Sequence, residues 1–268
     1  MDCKHLEILY EDQEVLVLNK PAGLVCHPAG KYQGDSVLSR LHFFRGKHVR
    51  LIHRLDQGTS GIMIAALTPS CVRSLAIQFE RRKIRKEYLA LVAGVPTSHQ
   101  KIIDIPMMPD PSPDSILPNR MIVDSKGLIA STSYKILQTD GSISLLQIQP
   151  LTGRKHQIRF HLASSGFPIL GENLYVHQGL PFLWERLFSR PSPWCNFPQG
   201  HALHAWNILF FHPEKKQWLK IFAPVPEVWA NYMGQIRYEM RSCENEIIGV
   251  AQRDLGENFC KNFPTNPL

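Results

Sequence analysis

Between Leu51 and Leu67 the chain runs apolar, polar and apolar again, with one acid, Asp56, where the character changes. Leu51, Ile52 and Leu55 lie before it, Gln57-Gly58-Thr59-Ser60-Gly61 after it, and Ile62-Met63-Ile64-Ala65-Ala66-Leu67 closes the block. Two apolar runs joined by a glycine-bearing turn read as two strands. That arrangement sets a single carboxylate at the lip of a sheet, and loops carried by rigid sheets are where catalytic groups concentrate. A plainer role fits the same residues: an acid that caps the turn through neighbouring backbone. Residue type and spacing leave the two readings equal.

The remaining pattern sets the fold class. Residues 15–18 form an apolar strand stopped by the turn signal Lys20-Pro21-Ala22-Gly23. Ser36 caps a short helix whose stripe is Val37, Leu38, Leu41 and Phe44. Thr68-Pro69 starts another, with Val72, Leu75, Ala76 and Phe79 as its buried face. It runs into Arg81-Arg82-Lys83-Ile84-Arg85-Lys86, a basic run that the helix dipole favours in part, and then into a strand over 87–95. Residues 106–120 are proline-rich and read as a loop. Strands are expected near 131–137 and 143–149. A helix is expected from 150–153 to about 163, ended by Gly166 and Pro168. After a loop over 176–200 come strands at 202–211 and 218–222, and a last amphipathic helix marked by Trp229, Tyr232, Met233 and Ile236. Strands outnumber helices without strict alternation. The class is therefore α+β, a mixed, mostly antiparallel sheet with flanking helices, in one domain over 1–240 with a tail over 241–268.

The formal charge is +7, which leans towards a polyanionic partner. Six scattered cysteines without a CxxC pair argue against a disulfide framework or a cysteine-built zinc site and point to a reducing compartment. The N-terminus lacks an apolar signal core and no run approaches the length of a membrane span. A cytoplasmic protein without a membrane partner is expected.

In this order along the chain, Asn19-Lys20-Pro21-Ala22-Gly23 with His27-Pro28, His53-Arg54-Leu55-Asp56, Lys86-Glu87-Tyr88-Leu89-Ala90-Leu91-Val92, Thr152-Gly153-Arg154-Lys155-His156-Gln157-Ile158-Arg159-Phe160-His161, Pro168-Ile169-Leu170-Gly171 and Ala202-Leu203-His204-Ala205 resemble the motifs of the RluA family of RNA pseudouridine synthases. The ordered set spans roughly residues 8 to 230. The resemblance implies the pseudouridine synthase catalytic fold and isomerisation of uridine in structured RNA, ribosomal RNA first and transfer RNA second. It implies a monomer, no metal and no small-molecule cofactor, since the reaction consumes nothing. Four features depart from the pattern: no separate N-terminal RNA-binding domain precedes residue 8, Glu172 stands where the family usually has Asp, the 176–200 loop is long, and the tail has no counterpart.

Uracil must leave its ribose at N1, turn, and rejoin through C5. The resemblance makes Asp56 the group that initiates cleavage, as nucleophile or base, by attack at sugar or ring or by removal of a sugar proton. An opposing cation keeps an enclosed carboxylate ionised, and the resemblance makes that cation Arg159, with Arg154 as the fallback or as a phosphate or loop contact. Tyr88, otherwise a core tyrosine, becomes the ring that packs on the flipped base. Ile158 or Leu170 supplies the opposite wall. Arg54, two positions before Asp56 and so facing the same way on an extended segment, fills the place the base vacates; its plain reading is a salt bridge. His53 reads as a hydrogen-bonded turn residue beside the substrate. Lys20, the basic run 81–86, Lys155 and His156 are candidates for phosphate contacts.

Two other classes compete. A non-catalytic RNA-binding ribosome-assembly factor on the same scaffold needs everything except the Asp56–Arg159 pair. A metal-dependent hydrolase using Cys195, His201 and His204 lacks a recognised zinc spacing.

Overall fold

In the computed structural model, residues 6–28, 34–111, 120–175, 197 and 200–233 are described. The tail, Cys195, Ile236 and most of the 176–200 loop lie outside them. The elements in chain order are β1 (Glu7–Glu11), β2 (Val15–Lys20), α1 (Val37–Arg45), β3 (Arg50–Leu51), β4 (Ser60–Ala66), α2 (Pro69–Glu80), β5 (Arg85–Ala93) and β6 (Gln100–Asp104). There follow β7 (Met107–Pro109), β8 (Met121–Val123), β9 (Ser131–Thr139), β10 (Ile143–Pro150), α3 (Gln157–Ser164), β11 (Leu203–Phe211) and β12 (Trp218–Phe222). A 3-10 turn (Glu227–Trp229) leads into α4 (Ala230–Met233). No helix among the described residues is long and apolar enough to cross a membrane.

Local chemistry accounts for the element starts. Ser36 closes a capping box with Ser39, and Thr68 accepts the Cys71 N–H ahead of Pro69. Along β2 and β4 the side chains alternate between two cores: Leu16, Leu18, Met63 and Ala65 enter one, and Val15, Val17, Ile62 and Ile64 the other. α2 covers the second core through Cys71 and Leu75. Its buried face is Cys71, Leu75 and Gln78, while Ala76 is exposed, a rotation from the expected stripe. Gln78 turns inward because its amide bonds both the N–H and the carbonyl of Phe211.

The main sheet runs β1-β2-β4-β11-β5-β10-β9-β6, with β12 on β11 and β3 on β4. Its pairs are antiparallel except β4 with β11, parallel over His204↔Ser60 and Ala205↔Gly61. A Cβ on Gly61 would lie 2.2 Å from the Ala205 carbonyl oxygen, and its φ is +106°, so glycine is required at this crossing.

Three expectations are corrected. The proline-rich stretch is not all loop: β7 pairs β8 in a separate two-stranded ribbon. The basic run divides, Arg81 closing α2, Ile84 buried, and Arg85 and Lys86 entering β5. The helix expected from 150 begins at Gln157, after a left-handed His156 at φ 56°. The Gln157 side chain explains the delay. Its amide donates to the Ser131 carbonyl and Thr132 Oγ1, both at 2.9 Å, and its carbonyl accepts from Thr152 Oγ1 and the Arg154 N–H. Residues 152–156 are thereby held as a loop.

Candidate active site

Asp56 lies between β3 and β4 in a loop anchored on several sides. The Lys20 ammonium donates to the carbonyls of Pro21 and Leu24, both at 2.8 Å, and of Gln57 at 3.1 Å. The Cys26 thiol meets the Leu55 carbonyl at 3.1 Å. His53 Nε2 accepts the Ile64 N–H at 3.0 Å. Beyond Asp56, Thr59 Oγ1 and Ser60 Oγ lie 2.8 Å from ring nitrogens of His201 and His204. Burial pushes these imidazoles down, His201 to about 3 and His204 to about 4, so both are neutral partners for hydroxyls.

The Asp56 carboxylate faces away from these anchors. Arg159 Nη1 donates to its Oδ2 at 3.3 Å, and Asp56 retains 21% side-chain exposure. Arg159 is itself held from the other side. Its Nε and Nη2 donate to the two oxygens of Glu172 at 2.6 and 2.7 Å, a bidentate fork, with Glu172 fully buried. Burial opposes the arginine's charge, but the Glu172 and Asp56 carboxylates outweigh it and raise its pKa. Nη1 is left for Asp56, so Glu172 fixes where that donor points.

His156 Nε2 is 3.9 Å from Asp56 Oδ1, and its Nδ1 is 2.9 Å from the Tyr175 hydroxyl. The Tyr175 oxygen also accepts the Met121 N–H, and its ring lies under Arg159 at 5.6 Å. Burial lowers the His156 pKa against the pull of Asp56, which favours the neutral ring.

Asp56, His156 and Arg159 border a cavity of about 210 Å³. Tyr88, Ile158 and Leu203 give it apolar walls, and Arg54, Lys86 and Lys155 a basic rim. Burial, then the charge of Asp56, raises the Tyr88 phenol, so its hydroxyl is protonated.

Of the residues expected at a site, Asp56, Arg159, Tyr88, Arg54, Arg154, His156 and Ile158 border this one cavity. Arg54 is exposed, and among the described residues no acid lies within ion-pair distance of it, so the salt-bridge reading fails. Arg154 holds its loop, donating from Nε to the Ile129 carbonyl at 3.2 Å. The Asp56 carboxylate meets Arg159 and no turn N–H, so the capping reading fails too.

Three candidates are corrected. Lys20 is fully buried on three carbonyls and has no donor to offer a phosphate. His53 is hydrogen-bonded as expected, to the β4 backbone, but it packs on Phe79 at 5.0 Å and is not part of the cavity lining. Leu170 is a core residue away from the cavity lining, which leaves Ile158 as the wall. His156, expected to contact phosphate, is aimed at Asp56. In the metal reading, His201 and His204 are turned to Thr59 and Ser60, and Cys195 lies outside the described residues. Sequence reasoning missed the structural use of Glu172, Tyr175 and His201. For Glu172 a signal existed, an acid directly after Pro-Ile-Leu-Gly.

A family model described as RNA pseudouridylate synthase matches residues 14–164, more than half of the chain. The chain is 35% identical over 224 residues to the ribosomal large subunit pseudouridine synthase C of Buchnera aphidicola, covering 83% of this chain and 68% of that one. It is 34% identical over 211 residues to the dual-specificity RNA pseudouridine synthase RluA of Yersinia pestis, covering 77% of this chain and 93% of that one. The structure of human RNA pseudouridylate synthase domain containing 4 superposes with a TM-score of 0.66 at 26% identity, covering 85% of this chain and 91% of that one. The chain spans about two thirds of the length of several curated relatives it matches.

Proposed function

The chain belongs to the RNA pseudouridylate synthase family, and from that premise we propose that it isomerises uridine to pseudouridine in structured RNA, with Asp56 as the essential carboxylate. Asp56 begins cleavage of the N1 glycosidic bond of an extruded uridine. Arg159, a guanidinium that stays protonated, orients the carboxylate through its single Nη1 donor. Tyr88 and Ile158 enclose the detached base while it turns to present C5 to the ribose, and Arg54 occupies the place it left in the RNA. The product is an isomer of the substrate: the C1′–N1 bond is replaced by C1′–C5, and the proton lost from C5 is balanced by one gained at N1.

The observation that carries this reading is the 3.3 Å contact between Arg159 and an Asp56 that still opens on the cavity. The matched relatives act, by their names, on large-subunit ribosomal RNA or with dual specificity, and large ribosomal RNA is the substrate proposed here. The domain is proposed to lie within 1–240, acting in the cytoplasm as a monomer.

The test maps pseudouridine in total RNA from cells lacking the gene and complemented with wild type or Asp56→Asn. Wild type is expected to restore a site that Asp56→Asn leaves as uridine while the variant still binds RNA. Restoration by Asp56→Asn would instead make the protein a binding factor.

A further inference from the structure

The short segment after Pro168-Ile169-Leu170-Gly171 carries a hydroxyl that the proposed chemistry does not use. Glu172, which holds Arg159, also accepts the Leu174 N–H at 2.9 Å, and Tyr175 follows at once. The Tyr175 hydroxyl lies 2.9 Å from His156 Nδ1 and accepts the Met121 N–H at 3.2 Å. Its ring meets Phe160 edge to face, centroids 5.5 Å apart, with the Arg159 guanidinium 5.6 Å away. His156 lines the cavity and Tyr175 does not. Tyr175 therefore reaches the carboxylate only through the histidine.

These contacts decide which ring nitrogen of His156 carries the proton. Burial lowers the histidine's pKa, helped by Arg159 and Lys155 and opposed by Asp56 and Glu172, so the neutral ring has a single N–H. Burial pushes the Tyr175 phenol up to about 12, so the phenol keeps its hydrogen. A proton on Nδ1 would give the phenol oxygen two donors and, among the described residues, leave its own hydrogen without an acceptor. It would also aim the Nε2 lone pair at Asp56 Oδ1, 3.9 Å away. When the phenol donates to Nδ1 instead, both faults disappear. Nε2 then carries the hydrogen and faces the carboxylate with it.

We propose that Tyr175 is a positioning residue: by donating to His156 Nδ1 it sets the tautomer that turns a second N–H, at Nε2, onto Asp56. This rests on Asp56 being the reacting carboxylate. Arg159 holds Oδ2 at 3.3 Å, and His156 faces Oδ1 at 3.9 Å, a gap that closes to hydrogen-bond length when uridine fills the cavity. With both oxygens engaged, the carboxylate no longer turns about its own bond to the chain. Glu172 and Tyr175, three positions apart, thus secure its two donors from one turn of backbone.

The test reads the tautomer by heteronuclear NMR of the histidine rings. The His156 signals are those lost in His156→Asn, a variant suited to the left-handed backbone there, φ 56°. Wild type is expected to carry the His156 proton on Nε2. Tyr175→Phe is expected to shift the ratio of tautomers roughly 2- to 13-fold, the worth of one hydrogen bond. On a large ribosomal RNA transcript, His156→Asn lowers kcat for pseudouridine formation about 100-fold and leaves KM unchanged. Tyr175→Phe loses part of that, and the double variant is no slower than His156→Asn, because a residue acting through another has nothing further to remove. A proton on Nδ1 in wild type overturns the proposal. So do a wild-type kcat in Tyr175→Phe, a loss there confined to KM, or losses that multiply in the double variant. The tautomer is read without RNA and so stands apart from the proposed function, which falls separately if Asp56→Asn restores pseudouridine in cells.

Discussion

Glu172→Gln and Asp56→Asn are expected to separate stability from activity at a single arginine. Glu172 is fully buried and grips Arg159 at 2.6 and 2.7 Å, with the arginine 8% exposed. Removing one partner of a buried pair costs about 3–5 kcal/mol, because the other charge is left uncompensated. Here compensation is partial: Asp56 remains at 3.3 Å, and glutamine keeps one accepting oxygen. The lower end, about 3 kcal/mol, is therefore expected. At about 2–4 °C per kcal/mol for a domain of this size, the melting temperature falls by roughly 6–12 °C. Nη1 loses its aim as well, and displacement by about 1 Å at a reacting centre can cost about 100-fold in rate. Asp56→Asn leaves the Glu172 fork intact and alters a contact partly open to water, so stability changes by no more than about 1 kcal/mol while isomerisation stops. Urea denaturation and pseudouridine formation on an RNA transcript measure both quantities for both variants. Asp56→Asn losing as much stability as Glu172→Gln, or Glu172→Gln denaturing with wild type, would refute the assignment of Glu172 as the anchor.

Acid should weaken the fold through the neutral histidines behind the catalytic loop. His204 has a folded pKa of about 4 against an ordinary 6.5, so the unfolded chain takes up its proton first. Stability is unaffected by this group above pH 6.5 and falls between about 6.5 and 4, by about 3 kcal/mol in all. His204→Gln should flatten the stability profile by about 1.4 kcal/mol per pH unit in that window, and an unchanged slope in denaturation at stepped pH would contradict it. Gly61→Ala places a methyl 2.2 Å from the Ala205 carbonyl oxygen at a φ of +106°. Backbone strain and overpacking together should cost about 3–5 kcal/mol, and a melting temperature within a degree or two of wild type would argue against the β4–β11 crossing.

What could be read in advance was local. The continuous apolar runs of β2 and β4, the hydroxyl caps at Ser36 and Thr68, and the residues around Asp56 and Arg159 each announce themselves within a few positions, because residue pattern and capping act over one or two turns of chain. The edge strands β1 and β6 went unread because their patterns, one buried residue or none in five, lack the alternation that reveals a half-buried strand. Lys20 looked like a phosphate ligand because a lysine beside a proline turn is normally solvated; the turn itself gives its ammonium two carbonyls, and the third comes from Gln57, 37 residues later.

The same distinction runs through the site. Asp56, Tyr88 and Arg159, the residues proposed for the chemistry, sit in motifs readable one at a time. The residues that hold them come from elsewhere in the chain: Glu172 reaches Arg159 across 13 positions, and His201 reaches Thr59 across 142. The His201 and His204 contacts exist because β4 and β11 lie parallel at Gly61, and no local period encodes a parallel pairing between such distant segments. By type alone those histidines resembled metal ligands. The pairing supplies a hydroxyl to each instead, and burial keeps each ring neutral to receive it. A polar group becomes an anchor or a ligand according to what the topology brings opposite it, so topology has to be known before the role of such a residue can be assigned.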